Sequence, residues 1–450
     1  LDVTVPFVVS GSATTTVDYG VTASPITILA GATTGAATIT MVADTLDELN
    51  ETVVLTMGTP TNATVGTTTV HTATITDDDD KPAVTFTTES QSNLESVVTQ
   101  TITVALNTAS GLPVTVPFTV SGSATTTVDY TITASPVVIA AGATTTTITI
   151  TVVNDTLDEN DETVIVTMGA PTDGTLGTIT VHTATITDDD DLPTVTWTSS
   201  IQSSVGESGT MSVTAQLSAV SGLDVTVPFV VSGSATSTDY TVTASPITIL
   251  AGGTTGTATI TVTTDTLNET DETVVLTIGT PTNGTQGAIT VHTATITNDD
   301  SQPTVSWTAA SQVSGNESGT MLVTAQLSAV SGLDVTVPFV VSGSATTTVD
   351  YTVTASPITI LAGGTTATAT ITITGDTINE LNETVVLTMG TPTNGTVGAV
   401  TEHTATITDD ESKPTVTFTK LNQSSAESVT TQTITVALNT ASGLPVTVPF

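Results

Sequence analysis

Hydrophobic and polar residues alternate in twos along most of this chain. Between residues 193 and 302 seven runs show it: TVTW (194–197), TMSVTAQLS (210–218), DVTVPFVVS (224–232), DYTVTASPITIL (239–250), TATITVTT (257–264), TVVLTIG (273–279) and AITVHTATIT (288–297). In the second run Met211, Val213, Ala215 and Leu217 share a face; in the third, Val225, Val227, Phe229 and Val231 do. A two-residue period puts alternate side chains on opposite faces of a strand, so each run predicts a strand with one apolar face. The segments between them carry Gly, Ser, Asn and Thr, which favour turns. Together they predict an all-β fold, a seven-stranded antiparallel Greek-key β-sandwich of immunoglobulin-like type. Pro228 has no N–H to give a ladder, so its strand is expected at an edge or with a bulge. In the last run Ile289 and Val291 fall on one face, whereas His292, Ala294 and Ile296 fall on the other. A β-bulge near Val291 would reconcile them and turn His292 toward the core. His71, His182 and His403 hold the same position, and all four read as partly covered structural histidines.

The pattern repeats. A tyrosine after aspartate recurs at Tyr19, Tyr130, Tyr240 and Tyr351, and a proline at Pro82, Pro193, Pro303 and Pro414. The period is about 110 residues, the size of a domain with its own core. Counting each unit from its proline gives sandwiches at 82–192, 193–302 and 303–413, a partial one at 1–81 lacking its first strands, and the first strands of a further one at 414–450. Such ends read as a window on a longer repetitive protein. Alternatively, residues 414–450 of one chain could complete unit 1–81 of another by strand addition, giving a homopolymer.

Charge changes the picture. The 450 residues include 43 acidic and only 3 basic side chains, a net charge of -40. Such a chain cannot neutralise phosphates, which argues against nucleic acid and anionic membrane surfaces as partners. It has no cysteine, so thiolate zinc, iron–sulfur and disulfide chemistry are excluded. No run is long and apolar enough to read as a membrane span. The acid is also clustered. With seven strands running up and down, the loops after the first, third and fifth, and the end of the seventh, share one pole. Those segments hold Glu207, Asp239, TDTLNETDE (264–272), Asn298, Asp299 and Asp300. The opposite loops AVSGL (219–223), LAGGTT (250–255) and TPTNGTQG (280–287) hold no acid. Crowded carboxylates repel one another unless a cation intervenes. Calcium, which takes about six to eight oxygen ligands, suits them best.

The stretches SGSATSTDY (232–240), ITILAGGTT (247–255), TDTLNETDETV (264–274) and ITNDD (296–300) resemble the Calx-beta domain, and the resemblance extends over every unit. It implies a seven-stranded sandwich that binds calcium at the acidic pole. The implied ligands are Asp18, Asp44, Glu48, Glu51, Asp77, Asp78 and Asp79 in the first unit, which lacks the early glutamate. In the second they are Glu95, Asp129, Asp155, Glu159, Glu162, Asp188, Asp189 and Asp190. In the third they are Glu207, Asp239, Asp265, Glu269, Glu272, Asn298, Asp299 and Asp300. In the fourth they are Glu317, Asp350, Asp376, Glu380, Glu383, Asp409, Asp410 and Glu411, and Glu427 opens the next set. Where strong calcium binders of the family carry paired aspartates, these units have Ala43–Asp44, Asn154–Asp155, Thr264–Asp265 and Gly375–Asp376. Asn298 further weakens the third unit's set relative to the second.

The expected function is a calcium-stabilised array of tandem sandwiches, elongated because each unit enters at one pole and leaves at the other. It would serve as an extracellular or cell-surface rod, stalk or filament, with neighbouring repeats as its partners. A calcium-dependent array binding a glycan or a cell-surface protein is the alternative. No His-Glu-x-x-His, phosphate-loop or dinucleotide pattern points to an enzyme.

Overall fold

The computed structural model describes residues 1–204 and 206–450. The chain divides into two compact units. The first comprises Leu1–Thr194 with Ser218–Val225 and Leu250–Thr254; the second comprises Val195–Leu217, Thr226–Ile249 and Thr255–Phe450.

In the first unit, residues 83–187 form two facing sheets. One runs in the order Tyr130–Ile132, Thr145–Val152, Thr99–Leu106, Ala83–Phe86, Thr175–Leu176. The other runs Phe118–Ser121, Glu162–Met168, Val181–Thr187, Ser90–Leu94. A two-stranded ladder joins Val114–Val116 to Val137–Ile139. Alternation supplies the core: Val84, Phe86, Ile102, Val104, Ile148, Ile150, Val164 and Val166 are all buried between the sheets. In the second unit, residues 304–407 repeat this architecture, with Trp307 buried in the core and its ring edge-to-face with Phe339.

Seven alternating runs thus become eleven strand segments, because four traverses change sheets midway. The first begins as Ala83–Phe86 in one sheet and continues as Ser90–Leu94 in the other, parallel to Val181–Thr187. This polar second half was not legible as a strand. The third traverse breaks at Pro117, the equivalent of Pro228; its later half, Phe118–Ser121, is an edge strand. The fourth splits into Tyr130–Ile132 and Val137–Ile139. Each change keeps the chain's direction along the sandwich, so the parity that collects acid at one pole is preserved.

The seventh traverse corrects the expected bulge. The Ile289 carbonyl accepts the Trp197 N–H at 2.8 Å, so this residue runs beside the first strand. Two residues later Val291–Ile296 pairs with Glu272–Ile278 in the other sheet. The phase shift is therefore a crossing between sheets. It does turn the histidine inward. His182, His292 and His403 are buried, and their Nδ1 atoms lie 2.8, 2.7 and 2.6 Å from the carbonyls of Thr88, Ser199 and Ala309. His71 departs from the expectation: it is exposed, on the rim of an apolar cleft. The sheet that carries it has three strands, Phe7–Gly11, Glu51–Met57 and Val70–Ile75, with no counterpart of Ser90–Leu94 among the described residues. Residues 414–450 form one short ladder, Val416–Phe418 with Val436–Leu438, and leave Phe418, Leu421 and Ile434 exposed.

Leu276 is fully buried, and its carbonyl accepts the Trp197 indole N–H at 3.2 Å. Leu276→Ala should cost about 2–5 kcal/mol by leaving a cavity. Urea unfolding followed through Trp197 fluorescence, in a Trp307→Phe background, should show a lowered midpoint.

Candidate metal centre

The acidic pole is assembled from four loops in each complete repeat. In the second repeat Glu95 lies between Ser90–Leu94 and Thr99–Leu106, and Asp129 immediately precedes Tyr130–Ile132. Asp155 and Glu159 lie before Glu162–Met168, and Asp188–Asp190 follow Val181–Thr187. Backbone donors fix these side chains. The Thr125 N–H donates to Asp129, the Leu157 N–H to Asp155 Oδ1 at 2.7 Å, and the Asp155 N–H to Glu95 Oε1 at 2.9 Å. The Glu159 N–H donates to Asp188 Oδ1 at 3.2 Å, tying the closing run to the loop before it.

Two groups of carboxylates result. Asp129, Glu159 and Glu162 each offer an oxygen within 4.8 Å of the others, as do Glu95, Asp188 and Asp190. The third repeat builds the same pair from Asp239, Glu269 and Glu272, and from Glu207, Asp265 and Asp300. The first repeat has Asp18, Glu48 and Glu51, with Asp44, Asp77 and Asp79 lining the same hollow. In the fourth, Glu317 faces Glu411, Asp409 and Asp376, while Glu383 hydrogen-bonds with Asp350 and adjoins Glu380. Oxygen-only donors at these spacings suit a hard divalent cation.

Some predicted residues lie outside the groups. Asp78, Asp189, Asp299 and Asp410, the middle acids of the closing runs, are exposed. Asp189 accepts both the N–H and the hydroxyl of Ser96, which makes it a clasp for the Glu95 loop. Asn298 uses its carbonyl oxygen to accept the Glu269 N–H at 2.9 Å, while its amide donates to the Asp300 carbonyl at 3.1 Å. Glu427 is exposed in the terminal segment.

The model of the Calx-beta domain matches residues 2–79, 77–191, 188–302 and 298–412. The chain belongs to the Calx-beta family. It is a tandem array of Calx-beta repeats, non-catalytic calcium-binding modules that are characteristically extracellular or on the cell surface. Among solved structures, CBD12 of CALX1.2 is 16% identical with a TM-score of 0.24, over 48% of this chain and 99% of that one. CBD12 of CALX1.1, described as a calcium binding domain, is 15% identical at a TM-score of 0.24, over 47% and 98%. The apo-form Calx CBD1 domain is 19% identical at 0.23, over 25% and 100%. A search of curated proteins finds no match.

The acidic clusters of these Calx-beta repeats are of the kind that holds calcium in the family. Among the described residues the one ion pair, Lys81 with Asp173 at 3.1 Å, lies outside them. Burial, reinforced by neighbouring carboxylates, pushes Glu162, Glu207, Glu272, Glu317 and Glu383 up to about 7. Asp239 moves the other way: burial opposes its charge, but donors from Thr236 and Thr238 outweigh it.

Two further sets of residues escaped the sequence reading. Asn50, Asp161, Asp271 and Asn382 accept the N–H groups of Asp77, Asp188, Asn298 and Asp409 at 3.0–3.2 Å. Asp47, Asp158, Asn268 and Asn379, each just before Glu48, Glu159, Glu269 or Glu380, are buried. Their recurrence at one repeat position was the available signal; their lack of a shared charge hid it.

The raised glutamates set the sign of the pH dependence. In the cation-free fold they keep protons that the unfolded chain releases between about pH 4.5 and pH 7, so stability falls as pH rises through 7. Without divalent cations, calorimetry should show a thermal midpoint lower near pH 8 than near pH 5. Excess calcium, by displacing those protons, should abolish the decline.

Proposed function

We propose that this array is a calcium-stiffened structural element, a rod, stalk or filament outside the cell, with the acidic groups as its ligands. One observation carries the reading: carboxylates from loops some 90 residues apart converge within 4.8 Å, in the same way in successive repeats. Calcium would neutralise them and pin the exit strand of each sandwich. In the parse at 82–192, 193–302 and 303–413, that strand passes to the next repeat through two or three residues such as Asp191–Leu192–Pro193, with no flexible Gly/Ser linker. Calcium also favours the native state by mass action, since it binds the folded pole and hardly the unfolded chain.

Calorimetric titration of the chain with calcium should reveal two classes of site. Glu95→Gln with Asp190→Asn should remove one site from the second repeat and leave the Asp129 group able to bind. The third repeat should bind more weakly than the second, because Asn298 replaces the carboxylate of Asp188. Small-angle scattering should show an extended particle in calcium that becomes more flexible with chelator. A compact particle in calcium would contradict the rod.

A second reading concerns the 450-residue chain by itself. Val5, Phe7, Ile26, Leu55 and Met57 line an open cleft of about 330 Å³ in the first repeat. Residues 414–450 carry Val416, Phe418, Ile434 and Val436 at the positions where Val84, Phe86, Ile102 and Val104 fill the second repeat. Strand addition between copies would satisfy both, and sedimentation should then show concentration-dependent polymers. Strict monomers at high concentration would reject this assembly.

A further inference from the structure

At the pole opposite its acidic clusters each complete repeat has a small loop with the step Ser110–Gly111, Ser221–Gly222 or Ser331–Gly332, and the terminal segment has Ser442–Gly443. In every case it packs against the acidic pole of the repeat before. The glycine N–H donates to the carbonyl of Asp47, Asp158, Asn268 or Asn379, at 3.1, 3.0, 3.2 and 3.1 Å in turn. Ser110, Ser221 and Ser331 are only 1% exposed, and the Ser221 hydroxyl also donates to Asp158 Oδ2 at 3.0 Å. The residue after each of these carbonyls is Glu48, Glu159, Glu269 or Glu380, a member of the cation-ligand set.

The glycine is needed for space. A Cβ built on Gly111 would lie 2.5 Å from Glu48 Cγ and Oε1, and one on Gly222 would lie 2.7 Å from the same atoms of Glu159. On Gly332 it would lie 2.5 Å from Glu269 Oε1, and on Gly443 2.6 Å from Glu380 Oε1. None of the four has a positive φ, so backbone freedom does not explain them. The three atoms nearest each added methyl group all belong to the glutamate side chain.

We propose that this glycine is a positioning residue for the cation site of the preceding repeat. It leaves the glutamate room to hold a divalent cation while the two repeats are docked, so that ion binding and docking favour each other. The proposal rests on the calcium reading above. Without cation the glutamate is free to swing, and an added methyl is tolerated. With cation bound the glutamate is fixed, and the methyl sets docking and ligation in conflict. A residue in one repeat would then control ion affinity in its neighbour.

The test uses the full chain with the fourfold variant Gly111→Ala, Gly222→Ala, Gly332→Ala and Gly443→Ala, titrated with calcium chloride by calorimetry. The class of site built on Asp129, Glu159 and Glu162 should weaken roughly tenfold or more, while the class built on Glu95, Asp188 and Asp190 stays within about twofold; a tenfold change corresponds to about 1.4 kcal/mol. In chelator the variant's thermal midpoint should match the parent's. If the fourfold variant misfolds, Gly222→Ala alone supplies the test, since it should weaken a single site and spare the other junctions. Parent-like affinity in a folded variant would overturn the proposal and leave calcium binding intact. Absence of calcium binding by the parent chain would remove both.

Discussion

Like charge crowded at one pole of each sandwich is the constraint on which the rest of this structure depends. Glu95, Asp155, Asp188 and Asp190 sit in mutual reach, and no lysine or arginine of the described chain enters the group. Burial, reinforced by neighbouring carboxylates, raises the proton affinity of Glu95, Asp188 and Asp190, and like charges so placed push their loops apart. The fold holds them with backbone donors, from Thr125 to Asp129 and from Glu159 to Asp188, which organise the oxygens without neutralising them. A pole with fixed geometry and unbalanced charge is prepared for a divalent cation.

The same pole is where one repeat meets the next. Asp47 and Asp158 present their carbonyls to Gly111 and Gly222, and the adjoining glutamates face the metal groups. Two consecutive residues therefore take part in two arrangements, the contact between repeats and the carboxylate group. On the proposed reading, an ion held by the glutamates would act on the contact between modules without touching the following repeat. That contact also gives the small Ser–Gly steps a reason to recur at the opposite pole.

Much of this was legible in the sequence because the period of two and the strand parity survive every irregularity. Glu207, Asp239, Glu269 and Asp300 could be brought to one tip from the number of traverses alone. The sheet changes at Pro117, at Ser135–Pro136 and after Ile179 were not legible, since a strand that crosses between sheets keeps its alternation or merely shifts its phase. Ser90–Leu94 and Ile201–Ser203 escaped because their residues are polar and pair at an edge. Within the acidic runs, composition could not separate Asp190, which joins a cluster, from Asp189, which clasps Ser96. Nothing in the acidic run sets the buried Asp158 apart from its neighbours. Its role emerges only when the following repeat is seen against it.

The central claim is that distant loops form a cation site at the tip of each sandwich. A crystal structure of the chain grown in saturating calcium, with anomalous diffraction to identify the ions, tests it most directly. The account predicts calcium density between Asp129, Glu159 and Glu162 and between Glu95, Asp188 and Asp190. Empty tips, or those carboxylates dispersed over the sides of the sandwich, would contradict it.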